Sequence, residues 1–284
     1  MTRVIDLRCR PAYLHDFFGA TPGSASNDVA RWLNRRVGTV GDDEHYARSR
    51  TPEGFLAAVR EAGLHKAVVV GRHTPGQHLP IARIHQIVHN HPELLGIAGI
   101  DPVLQGRAAL DQAEHAIRTL GLAGIGIEPG FGEPARHADD AVYWPTYELA
   151  AALKVPLFLM TGPTTPDPRF NDPAALARVA QAFPTLPIVS YHGWWPNVQG
   201  AIGVAFRYDN LYLVPDMYLF QPGSQAYVEA ANSFLGDQLL FGSSYPFRPI
   251  RQSIDDAQRL GLKDAVLQRF FSGNAQRLFG LPAA

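Results

Sequence analysis

Short apolar segments rich in β-branched residues recur along the chain. Eight of them lie at 3–8 (RVIDLR), 66–71 (KAVVVG), 94–100 (LLGIAGI), 123–128 (AGIGIE), 155–160 (VPLFLM), 187–191 (PIVSY), 210–215 (NLYLVP) and 238–242 (QLLFG). After the first, the segments start about 24 to 32 residues apart, which is the length of one strand, one crossover helix and two loops. Because these runs are apolar at successive positions, they predict strands of a sheet buried on both faces.

The stretches between these segments have apolar positions at a helical period. The clearest lie at 52–63, 106–121, 141–154, 172–183 and 224–236. Several begin at Asp or Ser and end near Gly, which are the residues that favour the two ends of a helix. Eight strands that alternate with helices predict an α/β fold, a closed (β/α)8 TIM barrel in which residues 1–284 form a single domain.

The interval after the first segment is longer than the others by about 40 residues. Residues 11–50 include an amphipathic piece at 28–37 (DVARWLNRRV) and are too many for an ordinary loop after a barrel strand. Long insertions of this kind commonly lie beside the active site, so we interpret residues 11–50 as a lid over the barrel mouth. The alternative is that residues 11–50 form a surface segment with no role at the active site. At the other end of the chain, residues 264–280 predict two helices that close the bottom or flank of the barrel.

Charge and composition narrow the classes of partner. The formal net charge of −1 gives no basic surface for nucleic acid or an anionic membrane. No apolar run is long enough to span a bilayer, and the N-terminus has no signal-like pattern, which predicts a cytoplasmic protein. The single cysteine, Cys9, forms no internal disulfide and excludes a zinc site built on cysteines. We expect a small molecule as the partner, and a homo-oligomer remains open.

The active site of a (β/α)8 barrel lies at the carboxyl ends of its strands. In the first segment Asp6, Arg8 and Arg10 occupy alternate positions, so regular strand geometry places two permanent cations on one face. The other face then holds Ile5, Leu7 and Cys9. The later segments end near Arg72, His73, Asp101, Glu128, Met160, Thr161, Tyr191, His192, Trp194, Trp195, Asp216, Tyr218, Ser243, Ser244, Tyr245 and Arg248. Polar and aromatic residues therefore accumulate at this rim.

Several of these stretches resemble a known family. They are VIDLRCRP (4–11), YWPTYELAAALKVPLFLMTGP (143–163), PIVSYHGWWP (187–196), QLLFGSSYPF (238–247) and FFSGNAQRLFG (270–280). Together they resemble the amidohydrolase superfamily, in the amidohydrolase-related branch that includes aminocarboxymuconate-semialdehyde decarboxylase and pyrone-dicarboxylate lactonase. The resemblance spans essentially the whole chain and implies a (β/α)8 barrel with its active site at the carboxyl ends of the strands.

The sequence departs from this family at its metal ligands. The resemblance implies ligands from Asp-x-His-x-His on the first strand, a His on the fifth, a His on the sixth and an Asp on the eighth. After the shared Asp6, the corresponding residues here are Arg8, Arg10, Met160, His192 and Ser244. Because a guanidinium has no lone pair to donate and repels a cation, we predict that no metal and no other cofactor is bound. A salvage site would have to use His192, Glu128, His73 and Cys9, and Cys9 faces the helices.

The two arginines stand where the family carries a dication, so we expect them to attract an anion. A carboxylate or a phosphate could bridge both guanidinium forks through charge-assisted hydrogen bonds. The alternative is a structural cluster in which Asp6, and also Glu128, neutralises the arginines internally.

The catalytic candidates are His192, Glu128, Arg8, Arg10 and Ser244. Imidazole has the side-chain pKa nearest neutrality, which favours His192 as the acid or base; the alternative is a hydrogen-bonded core histidine. Glu128 is a candidate base for water. Ser244 could donate a hydrogen bond to an oxyanion or act as a nucleophile activated by His192, although no G-x-S-x-G elbow surrounds it.

The substrate-binding candidates are Arg72, His73, Tyr191, Trp194, Asp216 and Arg248. Arg72, His73 and Arg248 are possible anion contacts or solvated rim residues. Trp194 and Trp195 either form the floor of a pocket for a flat substrate or pack in the core.

Three functions are compatible with these residues. The first is a metal-independent hydrolase of a small carboxylated cyclic substrate, a lactone or ester, in which His192 or Glu128 activates water and the arginines stabilise the oxyanion. The resemblance allows this chemistry because the lactonase relatives work without a metal. The alternative is a decarboxylase or other carbon–carbon lyase for an aromatic or muconate-like acid, with His192 protonating the carbanion. The third is a noncatalytic carboxylate-binding barrel.

Overall fold

Seven parallel strands form one curved sheet in a computed structural model, which describes residues 3–14, 23–38 and 44–282. The strands are β1 (Val4–Cys9), β2 (Leu64–Val70), a short antiparallel hairpin of β3 (His73–Thr74) and β4 (Gln77–His78), then β5 (Leu94–Gly99), β6 (Gly124–Ile127), β7 (Leu157–Met160), β8 (Ile188–Tyr191) and β9 (Leu211–Val214). The order in the sheet is β1-β2-β5-β6-β7-β8-β9, which follows the chain. Every neighbouring pair in this sheet is parallel.

The predicted eighth segment closes the sheet into a barrel. On one side, the Leu213 N–H donates to Gln238 O at 2.8 Å and the Leu240 N–H donates to Leu213 O at 2.9 Å. On the other side, the Leu7 N–H donates to Phe241 O at 3.0 Å. Residues 238–242 therefore occupy the eighth strand position between β9 and β1, and the predicted (β/α)8 architecture is confirmed.

The helices follow the strands as the periodicity predicts. They are α1 (Ala25–Arg36), α2 (Glu44–Ser49), α3 (Pro52–Glu61), α4 (Ile81–His89), α5 (Pro102–Gln105), α6 (Arg107–Arg118), α7 (Trp144–Leu153), α8 (Pro173–Ala182), α9 (Val198–Arg207), α10 (Gln225–Ala231), α11 (Ile250–Gln258), α12 (Asp264–Gln268) and α13 (Asn274–Phe279). Among the described residues, no helix is long and apolar enough to cross a lipid bilayer.

The barrel interior is filled by side chains from the strands. One apolar cluster joins Ile5, Leu7, Val68, Val70, Ile97, Phe158, Val189, Val214 and Leu240. Ala275 and Leu278 of α13 belong to the same cluster, so the C-terminal helix closes the barrel bottom, as predicted. A larger apolar layer lies between the sheet and the helices and includes Cys9.

The regular alternation predicted for β1 is wrong at its end. Leu7 belongs to the interior cluster while Cys9 belongs to the outer layer, although strict alternation places them on one face. The pairing of β1 with β2 shifts register between Asp6 and Cys9. Asp6 accepts a hydrogen bond from the backbone N–H of Arg8 at 3.0 Å, which stabilises this irregularity. The bulge lets Arg8 and Arg10 reach the barrel mouth above the apolar interior.

The described parts of the insertion pack on the segment after the eighth strand. The Asn34 side chain of α1 donates to Phe247 O at 2.8 Å, and the Tyr245 hydroxyl donates to His45 O of α2 at 2.9 Å. Residues 15–22 and 39–43 of the insertion lie outside the described residues. The role of residues 11–50 as a lid stays a prediction.

The end of β5 passes so close to the end of β2 that only glycine fits there. A Cβ on Gly99 would overlap the backbone of Gly71 and Arg72, and a Cβ on Gly71 would lie 2.6 Å from Gly99 N. We expect Gly99→Ala to lower the free energy of unfolding by about 1–3 kcal/mol because β2 and β5 must separate. Gly203, in the middle of α9, is the control: a Cβ there meets nothing within 4 Å. We expect Gly203→Ala to raise stability by about 0.5–1 kcal/mol.

Urea denaturation monitored by circular dichroism measures both changes. Gly99→Ala with the stability of the wild type would show that the strand ends part without cost and would contradict the packing argument.

Candidate active site

The candidate site is built from side chains at the carboxyl ends of the barrel strands. Arg8 and Arg10 come from β1 and the residue after it, and the later strands contribute Arg72, Glu128, Met160, His192 and Asp216. All of these side chains are buried. Because the carboxyl ends of parallel strands meet at one rim, residues distant in sequence contact one another here.

A cavity of about 390 Å³ opens above this rim. Its polar wall includes Arg8, Arg10, Arg72, Thr74, Gln77 and His192. Its apolar wall includes Trp32, Leu33, Phe131, Met160, Met217 and Phe247. Two of these, Trp32 and Leu33, lie on α1, so the insertion covers one side of the cavity. A larger groove of about 710 Å³ on the outer surface, near 169–173 and 196–200, contains none of the rim residues.

Glu128 bridges two of the arginines. Arg10 Nη2 donates to Glu128 Oε1 at 2.6 Å, and Arg72 Nη2 lies 2.9 Å from Glu128 Oε2. Arg10 also donates to the carbonyls of Val70 and Gly71 at 3.1 and 3.0 Å. Burial lowers the pKa of Arg10 to about 9, so the guanidinium remains protonated at neutral pH. With both oxygens held by guanidiniums, Glu128 is poorly placed to take a proton from water.

Asp216 pairs with both Arg8 and His192. Its Oδ2 lies 3.4 Å from Arg8 Nε and accepts the backbone N–H of His192 at 3.1 Å. Its Oδ1 lies 2.9 Å from His192 Nδ1. Since a carboxylate only accepts, this contact assigns the proton of neutral His192 to Nδ1 and leaves the lone pair on Nε2. Asp216 therefore fixes the orientation and tautomer of the imidazole.

The second ring nitrogen of His192, Nε2, faces Arg8. Arg8 Nη2 lies 3.4 Å from His192 Nε2 and 2.9 Å from the Met160 sulfur. Burial lowers the pKa of His192 below its ordinary value of 6.5, with Arg8 adding to this effect and Asp216 opposing it. His192 is therefore neutral at neutral pH, and its Nε2 is the basic atom on the cavity wall.

The structure brings six of the predicted residues together at one place: Arg8, Arg10, Arg72, Glu128, His192 and Asp216. Asp216 needs a correction, since it was expected to bind substrate and is instead 1% exposed beneath His192 and Arg8. Asp6 does not have the role that the alternative of a structural cluster gives it. Its carboxylate accepts the backbone N–H groups of Arg8 and Ser243 at 3.0 and 2.9 Å instead of pairing with a guanidinium. Burial raises the pKa of Asp6 to about 6.

Two aromatic candidates are buried and do not line the cavity. The Tyr191 hydroxyl donates to Leu7 O at 2.7 Å, and its ring lies under the Arg8 guanidinium with 4.8 Å between the guanidinium carbon and the ring centroid. Trp194 is fully buried in the outer apolar layer, so it does not form a pocket floor. Its neighbour Trp195 stacks on Tyr218 with ring centroids 5.2 Å apart.

Three polar candidates are also absent from the described cavity wall. Ser244 is 3% exposed, and its backbone carbonyl accepts the N–H of Phe247 at 2.9 Å. His73 stacks on His78 with ring centroids 4.0 Å apart. Arg248 donates to Val37 O of the segment after α1 and pairs with Asp256 of α11. Arg248 therefore anchors the insertion, which explains a buried arginine at this position without a substrate.

Sequence reasoning missed much of the cavity wall, including Trp32, Gln77, Phe131 and Met217. Phe131 and Met217 follow barrel strands closely, so their place after a strand end was an available signal. Gln77 lies in the β3–β4 hairpin, whose Pro75–Gly76 turn is also readable from the sequence. Nothing in the sequence indicates which face of α1 turns toward the barrel.

The residues at the rim do not fit a catalytic metal ion. Such an ion needs about three lone-pair donors from the protein, and no cluster of three His, Cys, Asp or Glu side chains able to hold one occurs among the described residues. Arg8 approaches the imidazole nitrogen that a metal would need, and both Arg8 and Arg10 contact the Met160 sulfur, at 2.9 and 3.6 Å. A cation at this place would meet two guanidiniums.

Comparisons with known proteins agree with this architecture. The chain is 31% identical to an uncharacterized TIM-barrel protein of Bordetella bronchiseptica, whose crystal structure matches with a TM-score of 0.86 over 98% of each chain. A dihydroxybenzoic acid decarboxylase from Polaromonas, solved with manganese and 2-nitroresorcinol, has the same fold, with a TM-score of 0.65, 18% identity and coverage of 100% of this chain and 98% of that one.

A curated relative and a family model extend the comparison to sequence. Gamma-resorcylate decarboxylase of Polaromonas is 24% identical in an alignment of 240 residues, with coverage of 69% of this chain and 73% of the relative. The family model described as Amidohydrolase matches residues 40–281. The chain therefore belongs to the amidohydrolase family.

Proposed function

We propose that this protein is a carbon–carbon lyase that decarboxylates a small aromatic or muconate-like acid without a metal ion. The observation that carries the proposal is the contact of Arg8 with His192 on the wall of a largely apolar cavity, with Asp216 beneath both. This arrangement offers a cation for a carboxylate beside a nitrogen that can carry a proton. The similarity to gamma-resorcylate decarboxylase favours the same reaction class.

The reaction requires a carboxylate anchor and a proton donor. In the proposed course, the substrate carboxylate pairs with Arg8, and the incoming negative charge favours protonated His192. His192 Nε2 gives its proton to the carbon that bears the carboxylate. The new C–H bond uses a π-electron pair of the conjugated system. The bond from that carbon to the carboxylate then breaks, its electron pair restores the conjugated system, and carbon dioxide leaves. His192 regains a proton from solvent, so one acid and one proton give one product and carbon dioxide.

Asp216 acts through His192 in this scheme. Its bond to Nδ1 keeps Nε2 directed toward the cavity and stabilises the imidazolium that donates the proton. Because Asp216 also pairs with Arg8, it sets the relative position of the anchor and the donor. Asp216 is therefore a positioning residue.

Hydrolysis of a lactone or ester, our first expectation, has less support. It requires a base that activates water, and both oxygens of Glu128 are engaged by Arg10 and Arg72. A guanidinium does not convert water to hydroxide as a bound metal does. Hydrolysis would then depend on His192 alone.

Helix α1 of the insertion forms part of the proposed substrate site. Val29, Trp32 and Leu33 of α1 line the cavity, and the side chains of Val29 and Trp32 are nearly half exposed. We propose that α1 covers the bound acid and removes water from around its carboxylate. Excluding water strengthens the pairing of the carboxylate with Arg8.

The first test measures carbon dioxide released from a panel of hydroxybenzoates and muconate-like acids, with lactones in parallel. We expect Arg8→Met to lower kcat/KM for the best acid by about 10- to 100-fold, because a charge-assisted contact worth about 1.5–3 kcal/mol is lost. Arg107→Met, at an exposed arginine of α6, should leave kcat/KM unchanged within about twofold. Ring-opened acid from lactones without carbon dioxide from any acid would favour the hydrolase, and binding without turnover the noncatalytic barrel.

The pH profile tests the role of His192. A proton donor must be protonated in the active form, so kcat/KM should fall as pH rises through the His192 pKa, with a midpoint below 6.5. Asp216→Asn removes the carboxylate that stabilises the imidazolium, so the midpoint should move to lower pH. Asp6 titrates near pH 6 and serves as the control: Asp6→Asn should leave the descending limb in place. If the descending limb disappears in Asp6→Asn and persists in His192→Gln, His192 is not the group whose titration controls activity, and its role as proton donor is contradicted.

Metal independence has its own test. Purified protein should contain well below one equivalent of manganese or zinc, and dialysis against a chelator should change kcat by less than twofold. The argument that the rim residues cannot hold a metal ion would be contradicted if the protein contained about one equivalent of metal, lost activity when the metal was removed, and regained activity when the ion was added back.

A further inference from the structure

Two polar atoms on the cavity residues lack hydrogen-bond partners among the described residues. They are Arg8 Nη1 and Gln77 Oε1, and both are buried. The first is a cationic donor and the second is a neutral acceptor. An unpaired buried group of this kind is costly, so each is expected to gain a partner when the cavity fills.

The remaining cations on the wall have their own partners. Arg10 and Arg72 share Glu128 and also bind the carbonyl of Val70 and the hydroxyl of Thr74, at 3.1 and 3.3 Å. A second carboxylate on the ligand would have to displace Glu128 from one of them. The exposed Glu133 also lines the cavity and would repel it. The wall therefore suits a single carboxylate.

Gln77 is held at the cavity by a short hairpin. Thr74 of β3 pairs with Gln77 of β4 across the Pro75–Gly76 turn, where Gly76 has a φ of +75°. The base of the hairpin is closed by the Leu79 N–H, which donates to Arg72 O at 2.8 Å. The backbone that carries the acceptor is thus held in position relative to the rim, as the support of a group that selects substrates must be.

We propose that Gln77 is a specificity residue, whose Oε1 accepts a hydrogen bond from a hydroxyl group of the substrate while Arg8 holds the carboxylate. The preferred ligand is then a hydroxylated monocarboxylic acid with a flat apolar body, packed against such wall residues as Trp32, Phe131 and Phe247. The inference rests on the proposed function only in taking Arg8 as the carboxylate anchor. Sites that hydrogen-bond a substrate hydroxyl discriminate strongly against analogues that lack it.

The test is equilibrium binding, which is independent of turnover. Titration calorimetry compares benzoate, its three monohydroxy isomers, the three matching methoxybenzoates and isophthalate. We expect the best hydroxybenzoate to bind the wild type about tenfold more tightly than benzoate or its methoxy counterpart, and isophthalate to bind more weakly than benzoate. In Gln77→Met, similar in size but without the acceptor, the hydroxyl preference should fall below twofold while benzoate affinity stays within twofold. Gln258→Met, an exposed glutamine of α11, is the matched control and should keep the full preference.

The outcomes separate this inference from the proposed reaction. A hydroxyl preference that survives in Gln77→Met, a preference for methoxy compounds, or tightest binding of isophthalate would overturn the role of Gln77 and leave decarboxylation standing. A preference that is lost in Gln77→Met supports the role even where no acid releases carbon dioxide, a result that would overturn only the reaction. Failure of every acid to bind the wild type would overturn both the role of Gln77 and the decarboxylation of an aromatic acid.

Discussion

The need of buried guanidiniums for counter-charges determines how this rim is organised. Arg8, Arg10 and Arg72 are all under 9% exposed, where an unpaired charge is strongly unfavourable. Two carboxylates meet this need: Glu128 joins Arg10 to Arg72, and Asp216 joins Arg8 to His192. The same ion pairs determine which side chains at the rim can take part in chemistry. Glu128 is occupied by two cations, whereas Asp216 binds Nδ1 of His192 and leaves Nε2 beside Arg8 at the cavity.

In the proposed function, guanidiniums supply the positive charge in place of a metal, which alters the reactions that the site suits. A metal ion supplies positive charge and also lowers the pKa of a bound water, so it provides a nucleophile. A guanidinium supplies charge and directed hydrogen-bond donors, but it has no vacant coordination site at which a water molecule could be activated. Reactions that need hydroxide lose their source of it. A decarboxylation needs an anchored carboxylate and a proton, and Arg8 and His192 have the chemistry for these two tasks.

Sequence periodicity predicted the barrel well because each strand and helix depends mainly on its own local pattern. The eight segments and the C-terminal helices all appear in the structure. Errors begin where the pattern breaks. Ile5 and Leu7 both face the interior, and the bulge between Asp6 and Cys9 puts Cys9 in the outer layer, where a local hydrogen bond from Arg8 N–H to Asp6 accompanies the break in alternation.

The sequence predicted which residues lie at the strand ends of the site, but it did not predict which of these residues pair with one another. Which carboxylate meets which arginine depends on contacts between distant segments, so Asp216 is predicted as a substrate contact and Asp6 enters only as the counter-charge of the alternative structural cluster. The cavity wall from α1 and from the β3–β4 hairpin depends on how these pieces dock, which the sequence does not encode locally.

Backbone conformation at the rim shows how closely the charged pairs depend on the barrel itself. His192, Asp216 and Ser244 have φ values of 62°, 47° and 60°, in the left-handed region that costs non-glycine residues about 1–3 kcal/mol each. Such strain persists only where other contacts hold it, and the bond from His192 N–H to Asp216 joins two of the three residues. Gly242 completes the arrangement, since a Cβ there would lie 3.4 Å from Arg8 Cβ and 3.3 Å from Asp216 Cβ. The eighth segment thus closes the barrel and also confines the Arg8–Asp216 pair, so the closure of the fold and the geometry of the site depend on the same few residues.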